Sequence, residues 1–387
     1  MEFSSCAGLA VLKKCGVSST PLCPLLLLPK TISTPYETSW RGTPPTSIHN
    51  PIMGWGIKPY GVWQETYRAN SKGIRGNREY PVDPPDGIIR ISTFGDSFTH
   101  CDDVKNEDTW QEQLSSADPR LEVLNFGVGG YGLDQAFLRY KEEGITYHSH
   151  IVFIGFMDEN IKRLVNIYRP FYYPGIPLTK PRFCIQGDNL VLLQNPLARL
   201  NDSRMLLSKP KEILDKLGKN DFHYQCSIKE GPFDFSPSVR LSKMGYHFVY
   251  QKYLELSDKS IFRKGFYNPE SEAFKIGTKL FDEFYCTAQK NSSLPVIVLF
   301  PNKQDVERYL SHHIKIYAPL TQYFDSQGYR YIELLQAFDE YHTQSNVDNL
   351  FNGYHYSPLG NLIVAKFILN YLKENRLTNP RKKGVGS

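Results

Sequence analysis

Five short apolar runs, rich in β-branched and aromatic residues, alternate with segments of helical period along this chain. These runs cover residues 88–94, 121–126, 150–156, 295–300 and 329–334, and we interpret each as a buried strand. Helices are expected from residue 109, over 133–143, from 159, and over 271–289, 306–324, 335–341 and 358–373. Such alternation predicts an α/β fold with a parallel sheet covered on both faces by helices.

The alternation breaks over residues 161–270, where Pro, Tyr and Lys are frequent and apolar periodicity is weak. A short strand at 190–193 and a short helix at 209–217 are expected there. A stretch of this length without regular alternation is typical of a lid or a binding segment. We therefore predict a core made of 49–160 and 271–378, with 161–270 inserted over the sheet edge.

The two ends of the chain differ in composition from this core. Residues 1–48 are interpreted as a poorly ordered leader or as the result of a start codon placed too early. Leu25–Leu28 is far too short to span a membrane, and prolines interrupt its surroundings, so it makes a poor signal peptide. This favours the cytoplasm, with export left open if the start is misassigned. Residues 49–86 are expected to pack on the sheet through their Tyr and Trp, and 379–387 form a basic tail.

Composition narrows the class of protein further. Of 387 residues, 41% are hydrophobic and 22% are charged, which is typical of a folded globular chain. The net charge of +5 is spread along the chain and argues against a nucleic-acid partner. Seven cysteines without a CxxC pair indicate mostly free thiols and no zinc site. Aromatic residues reach 13%, which suits a carbohydrate-facing cleft, although core packing accounts for most aromatics.

Polar or glycine-rich turns follow three of the predicted strands and should meet at one sheet edge. The first turn carries Ser97, a candidate nucleophile, and the second is 127–132, whose glycines let backbone N–H groups approach a ligand. The third is 157–160. A further turn before the last helix carries His355, and histidine is the usual base for a serine nucleophile. Together these turns predict nucleophilic catalysis at this edge.

Other polar residues near these turns have simpler interpretations. His100 is too close to Ser97 in sequence to be its usual base, so a site-lining or surface role is expected. Cys101 is expected to be a small buried residue. The acidic pairs 102–103 and 158–159 are interpreted as exposed loop carboxylates, because no His or Cys spacing supports a metal site.

Three blocks of the chain resemble the SGNH (GDSL-type) hydrolase superfamily. They are Phe94-Gly-Asp-Ser-Phe-Thr99, Asn125-Phe-Gly-Val-Gly-Gly130-Tyr-Gly132 and Gly353-Tyr-His355-Tyr-Ser-Pro-Leu-Gly-Asn361. Each block is weak alone, but they occur in the order of the superfamily at its usual strand ends. The segment 70–75 also resembles the segment that precedes the serine strand in a bacterial subgroup of this superfamily. The resemblance implies a flavodoxin-like three-layer α/β/α sandwich with a five-stranded parallel sheet.

The resemblance also implies roles for individual residues. Ser97 would be the nucleophile and His355 its base. The backbone N–H groups of Ser97 and Gly130 would stabilise the oxyanion. No metal or organic cofactor is expected.

Two positions depart from the superfamily pattern. Asn352 stands where an aspartate three residues before the histidine is usual. Asn352 itself, Asp348 or the backbone would then orient His355, or activity would be low. Met157 stands where an oxyanion-binding asparagine is usual, and Asn160, one helical turn later, is the expected substitute.

Three functions are compatible with these residues. The first is a serine esterase that hydrolyses an O-acyl ester, with O-acetyl favoured, of a sugar or related metabolite. The second is acyl transfer to a saccharide through the same acyl-serine. The third is a catalytically degenerate domain that binds glycans or a partner. The expected partner is a small-molecule or saccharide ester, and the oligomeric state is open.

Overall fold

The computed structural model describes most of the chain between Thr46 and Thr378. The described residues are 46–63, 66–173, 177–199, 202, 205–227, 231–342 and 346–378. Residues 1–45 of the expected leader and the basic tail 379–387 lie outside them. Within the described residues, no helix combines the length and apolarity that crossing a membrane requires.

Fifteen strands and fourteen α-helices are found in these residues. The strands are Ser47–Asn50 (β1), Gly54–Ile57 (β2), Val62–Trp63 (β3), Tyr67–Arg68 (β4), Ile89–Phe94 (β5), Leu121–Asn125 (β6), Ile151–Met157 (β7), Arg182–Gln186 (β8), Asn189–Leu193 (β9), Phe262–Arg263 (β10), Phe266–Tyr267 (β11), Leu294–Phe300 (β12), Tyr331–Glu333 (β13), Phe351–Asn352 (β14) and His355–Tyr356 (β15). The helices are Ser97–His100, Trp110–Ala117, Leu133–Glu142, Asn160–Arg163, Arg169–Tyr172, Met205–Ser208, Pro210–Gly218, Phe222–Gln225, Pro237–Leu256, Glu272–Lys290, Lys303–His312, Ala318–Gln327, Leu335–His342 and Pro358–Glu374.

The central sheet contains the five strands predicted from the apolar runs. Its order is β13-β12-β7-β5-β6, and every neighbouring pair is parallel. β5, β7 and β12 are buried almost throughout, which explains why β7 and β12 are continuous apolar runs rather than alternating ones. The prediction of a five-stranded parallel sheet is confirmed. The sheet places the residue after β5 and the loop after β6 at the same edge.

Helices cover both faces of this sheet. Neighbouring residues of β5 point to opposite faces: Thr93 Oγ1 accepts a hydrogen bond from Gln111 Nε2 at 3.2 Å, and the ring of Phe94 packs 5.3 Å from that of Tyr140. Gln111 belongs to Trp110–Ala117, and Tyr140 belongs to Leu133–Glu142. Trp110–Ala117 packs with Pro358–Glu374, and Leu133–Glu142 packs with Glu272–Lys290. The three-layer α/β/α arrangement is confirmed.

Two predicted elements differ from the observed ones. The single helix expected over 306–324 was wrong, because Lys303–His312 ends at His313, which has φ of +54°, and a second helix begins at Ala318. Pro319 sits in the first turn of that second helix, where a missing N–H costs nothing. The twenty-residue helix Pro237–Leu256 was not predicted, because its outer face carries aromatic residues that obscure the polar and apolar period.

The segment 161–270 has a hydrophobic cluster of its own. Its members are Ile167, Tyr168, Phe171, Leu197, Leu206, Ile213, Leu214, Leu217 and Tyr224. A fully buried ion pair between Lys180 and Asp134 ties this segment to the helix Leu133–Glu142. A second pair joins Arg182 to Glu272. These contacts hold residues 180–182 of the segment against the core.

Candidate active site

Ser97 begins the short helix Ser97–His100 directly after β5. Asp96 is the N-cap residue, and its Oδ1 accepts a hydrogen bond from Phe98 N at 3.0 Å. A Cβ at Gly95 would lie 2.1 Å from Thr99 Oγ1, so the tight turn before the serine requires glycine. Ser97 is 6% exposed. The sequence-predicted nucleophile is therefore held at the carboxyl edge of the central sheet.

His355 reaches the same region from a two-residue hairpin. Asn352 of β14 pairs with His355 of β15 across a turn in which Gly353 has φ of +69°. The imidazole packs against Phe98, with ring centroids 5.4 Å apart, and Phe98 follows Ser97 in sequence. His355 and Ser97, predicted together from distant motifs, are thus brought to one site.

The carboxyl group bound to His355 belongs to Asp103. Its Oδ2 lies 2.7 Å from His355 Nδ1. Asp348, the expected alternative partner, instead pairs with Lys303. Asn352, which occupies the usual aspartate position, donates from Nδ2 to the backbone carbonyl of Asp103 at 3.1 Å. The expectation that Asn352 or Asp348 orients the imidazole is therefore corrected, because Asp103 takes that position and Asn352 holds its backbone.

The loop that carries Asp103 is fixed by a buried arginine. Arg75 Nη1 donates to the carbonyls of His100, at 2.5 Å, and Cys101, at 2.6 Å, and its Nη2 donates to Val104 O at 2.6 Å. Asp103 itself has φ of +69°, a conformation that aspartate tolerates better than most residues. Arg75 lies in the segment 70–75 that resembles the bacterial subgroup. Its donors turn the chain back so that Asp103 faces His355.

The electrostatics around His355 favour its protonated form. Burial alone would lower the pKa of the imidazole, but the hydrogen bond that Asp103 accepts from it and the charges of Asp102, Asp103 and Asp96 outweigh burial. The net result is a pKa above the usual value for histidine. An imidazole so oriented can accept a proton from a neighbouring hydroxyl group and hold it as imidazolium.

His100 forms a second histidine–aspartate pair in the same loop. Its Nδ1 lies 2.5 Å from Asp102 Oδ1, and its ring is 1% exposed and packs edge-on against Tyr67. Burial lowers the pKa of His100, whereas the neighbouring His100 charge and hydrogen bond outweigh burial for Asp102 and lower its pKa to about 2. Asp102 is partly exposed and Asp103 is exposed, in line with the interpretation of this pair as loop carboxylates, and each is in addition bound to a histidine. Cys101 is buried as expected.

Gly130 lies in the loop after β6, which is joined to the nucleophile turn by the hydrogen bond from Val128 N to Gly95 O at 3.0 Å. It has φ of +79°, which only glycine adopts readily. A Cβ at this position would lie 3.6 Å from Trp55 Cζ2 and 3.8 Å from Arg169 Nη2. Trp55 Nε1 also donates to Gly129 O at 3.0 Å. The expected oxyanion donor therefore has an aromatic ring and a guanidinium as its neighbours.

Asn160, the expected substitute oxyanion donor, contacts the turn before the nucleophile. Its Nδ2 donates to Asp96 Oδ2 at 2.8 Å, and Arg163 Nη1 donates to the same oxygen at 3.1 Å. Met157 is buried, and its sulfur accepts a hydrogen bond from Glu159 N at 3.3 Å. The amide of Asn160 is thus bound to Asp96, and the residue is buried beside the nucleophile turn.

Within the described residues, no group of three or more His, Cys, Asp or Glu side chains is arranged to hold a metal ion. The carboxylates near Ser97 are instead bound to protein donors. Asp158 accepts from Asn302 Nδ2 at 2.8 Å, and Glu159 Oε2 pairs with Arg163 Nη2 at 2.6 Å.

Comparisons with known proteins give structural neighbours but no sequence relatives. No protein-family model matches the chain, and no curated protein matches it. A lipolytic protein of the G-D-S-L family from Veillonella parvula DSM 2008 matches with a TM-score of 0.37 and 10% identity, over 74% of this chain and 98% of that chain. An acetyl-xylooligosaccharide esterase from Geobacillus Stearmophilus matches with a TM-score of 0.38 and 11% identity, over 77% and 97%.

A two-domain esterase active on acetylated mannans also matches, with a TM-score of 0.35 and 10% identity, over 77% of this chain and 52% of that chain. The solved structures that the chain resembles thus include GDSL-type proteins, the group that its sequence motifs resemble.

Proposed function

We propose that the protein is a serine ester hydrolase that works through an acyl-Ser97 intermediate. The observation that carries this proposal is the 2.7 Å contact between Asp103 Oδ2 and His355 Nδ1, on an imidazole that packs beside the helix beginning at Ser97. With Nδ1 bound to Asp103, Nε2 is the nitrogen left to accept the Ser97 proton. This is the arrangement that makes a serine hydroxyl nucleophilic at neutral pH.

The proposed reaction has two steps. Ser97 Oγ attacks the ester carbonyl carbon while His355 takes the hydroxyl proton, and His355 then gives that proton to the leaving alcohol. In the second step, His355 takes a proton from water, the resulting hydroxide attacks the acyl group, and the proton returns to Ser97 as the acid leaves. Asp103 stabilises the imidazolium formed in both steps.

The oxyanion formed in each step needs donors that are already oriented. We assign this role to the backbone N–H groups of Ser97 and Gly130, with the second amide hydrogen of Asn160 as a third donor. The conformation of Gly130 supports this assignment, because a φ of +79° favours a residue without a side chain, which leaves this peptide open to a ligand. A missing donor of this kind costs on the order of 10²–10³ in rate.

The proposed substrate is an O-acyl ester, with O-acetyl favoured, of a sugar or related metabolite. Trp55 is buried beside Gly130 and its Nε1 donates to Gly129 O, so it fixes the loop of the proposed oxyanion site and does not itself face a sugar. The two alternatives, acyl transfer and a degenerate binding domain, use the same residues differently. The hydrogen bond from Asn352 to Asp103 weakens the case for degeneracy, since it gives that unusual residue a positioning role.

The test is hydrolysis of p-nitrophenyl acetate and of acetylated xylo-oligosaccharides by the wild type, Ser97→Ala and Ser116→Ala. Ser116 lies on the exposed side of Trp110–Ala117 and serves as the matched control. We expect activity in the wild type and Ser116→Ala and its loss in Ser97→Ala. An inactive wild type, or full activity in Ser97→Ala, would contradict the proposal. Acylated sugar instead of free acid, on adding a sugar acceptor, would identify transfer.

A further inference from the structure

Arg169 brings a cationic group from the segment 161–270 to the edge of the candidate active site. It begins the helix Arg169–Tyr172, and its backbone N–H is fixed by Leu178 O at 2.9 Å. Its Nη2 would lie 3.8 Å from a Cβ built on Gly130. The guanidinium therefore borders the peptide that we assign to the oxyanion site.

The hydrogen bonding of Arg169 is incomplete, in contrast to that of Arg163 nearby. Arg163 donates to Asp96 Oδ2 at 3.1 Å, to Tyr131 O at 2.7 Å and to Glu159 Oε2 at 2.6 Å. Arg169 Nη1 is buried and has no hydrogen-bond partner among the described residues. The acidic groups in range of Arg169 are thus already engaged by Arg163, and a buried charged donor without an acceptor is costly.

The charges around Arg169 also favour the binding of an anionic group. Burial and the neighbouring charge of Arg163 lower the pKa of Arg169 to about 10, although Glu159, Tyr172 and Asp96 act in the opposite direction. Arg169 therefore still carries its charge at neutral pH. Its planar fork of N–H donors matches the paired oxygens of a carboxylate or a phosphate. An anion bound here would fill the open donor and separate the two guanidinium charges.

We propose that Arg169 is an anion-recognition residue of this active site, and that the ester substrate carries a carboxylate or phosphate group which binds its guanidinium. This inference rests on the proposed esterase function and narrows its substrate class to acyl esters of anionic metabolites. The ester carbonyl would lie at Ser97 and Gly130, with the anionic group directed toward the segment 161–270. Arg169 is then a specificity-determining residue.

The test compares esters that differ only in charge. 4-Acetoxybenzoate carries a carboxylate, 4-acetoxyphenyl phosphate carries a phosphate, and 4-acetoxybenzamide is neutral. The variants are Arg169→Met, Arg169→Lys and the control Arg263→Met, in which an exposed arginine of the same segment is neutralised. Far-ultraviolet circular dichroism establishes that each variant is folded.

We expect Arg169→Met to lower kcat/KM for at least one anionic ester by about 10- to 100-fold, the range for loss of a charge-assisted hydrogen bond. The neutral ester should change by less than about threefold, and Arg169→Lys should give an intermediate loss. The larger effect identifies the carboxylate or the phosphate as the preferred group. Equal losses on all three esters, or no loss on any, would overturn the proposal.

A binding measurement separates this inference from failure of the esterase proposal. Titration calorimetry with benzoate, phenyl phosphate and benzamide needs no turnover. Tighter binding of an anion than of benzamide, lost in Arg169→Met and retained in Arg263→Met, would support the anion site even if no ester is cleaved. Equal binding of the anions by the wild type and Arg169→Met would overturn it even if Ser97 is catalytic.

Discussion

Two histidine–aspartate pairs use neighbouring aspartates in the loop after Ser97. They differ in the exposure of the histidine and in the direction in which its pKa is shifted. Asp102 and Asp103 are neighbours in sequence, and each places a carboxylate oxygen at the Nδ1 of a histidine, at 2.5 and 2.7 Å respectively. His100 is 1% exposed, whereas the side chain of His355 is 15% exposed. Burial lowers the pKa of His100, but the surrounding carboxylates raise that of His355.

A histidine–aspartate contact alone therefore does not define a catalytic base. His100 has its carboxylate partner, but its Nε2 is buried and has no hydrogen-bond partner among the described residues. His355 is held by a hairpin at the sheet edge that also carries Ser97. We therefore assign the chemistry to His355 and Asp103, and a structural role to His100 and Asp102.

Substitution of His355 should cause the largest loss of activity, and substitution of His100 a much smaller one. His355→Ala should lower kcat/KM for p-nitrophenyl acetate by about 10⁴- to 10⁶-fold, the range for loss of a member of a catalytic triad. His100→Gln should lower it by less than about tenfold, while reducing the free energy of unfolding by about 1–3 kcal/mol because a buried polar contact is lost. Steady-state kinetics and urea unfolding of both variants provide the check. Comparable kinetic losses in the two variants would refute the assignment.

The next effect concerns the carboxylate of the catalytic pair. Asp103→Asn should lower kcat by about 10²- to 10⁴-fold, since the corresponding exchange in serine proteases costs about 10⁴. His355 must be neutral to accept a proton, and Asp103 raises its pKa. Removing that charge should therefore move the acidic limb of the kcat/KM profile to lower pH. The pH–rate profiles of both forms measure the shift.

Asp348→Asn is the matched control for this prediction, because Asp348 pairs with Lys303. It should keep the wild-type rate within about twofold and the wild-type pH profile. A loss in Asp348→Asn that equals the loss in Asp103→Asn would show that the histidine has a different partner in solution.

A smaller effect is expected at Asn352, which positions Asp103 through a 3.1 Å hydrogen bond to its carbonyl. Asn352→Ala should lower kcat by about 2- to 10-fold, in line with the loss of one hydrogen bond. Because it acts through Asp103, its effect should nearly vanish in the Asp103→Asn background. Kinetics of the double variant measure this coupling, and full additivity would argue that Asn352 acts on its own.

Substitution of Asp102 should have the smallest kinetic effect. It should mainly lower the stability of the folded protein. The pKa of Asp102 is about 2 in the folded protein, below the usual value of 3.8. The carboxylate therefore stabilises the fold above about pH 4, and this stabilisation is lost as pH falls toward 2. Asp102→Asn should be less stable than the wild type at pH 6, with the difference narrowing below pH 4. Thermal unfolding across this range tests the prediction, and a difference independent of pH would contradict it.

The central sheet was predictable because its strands are buried on both sides. Runs such as 295–300 are apolar throughout, so that part of the chain must lie in the interior of the protein. The break at His313 and the helix Pro237–Leu256 were not predictable in the same way. A single left-handed residue ended the first, and exposed aromatic residues such as Tyr246 and Phe248 removed the period that would have indicated the second.

Some residues of the candidate site were likewise predictable from the sequence and others were not. Ser97, Gly130 and His355 occur in motifs whose strand-end positions indicate one edge. Asp103 was missed because its partner is 252 residues away and because its left-handed backbone, fixed by Arg75 and Asn352, decides where the carboxylate points. The available signal was an acidic pair five and six residues after the serine, at an edge already expected to hold a histidine.

The most direct test of the account is the rate at which a fluorophosphonate modifies Ser97, followed by intact mass against pH. The wild type, Asp103→Asn, Asp348→Asn and Ser97→Ala would be compared. We predict single labelling of the wild type and Asp348→Asn at equal rates, no labelling of Ser97→Ala, and slow labelling of Asp103→Asn with its acidic limb at lower pH. A folded wild type that is not labelled, or labelling of Asp103→Asn at the wild-type rate, would contradict the assignment of Asp103, His355 and Ser97 as one catalytic unit.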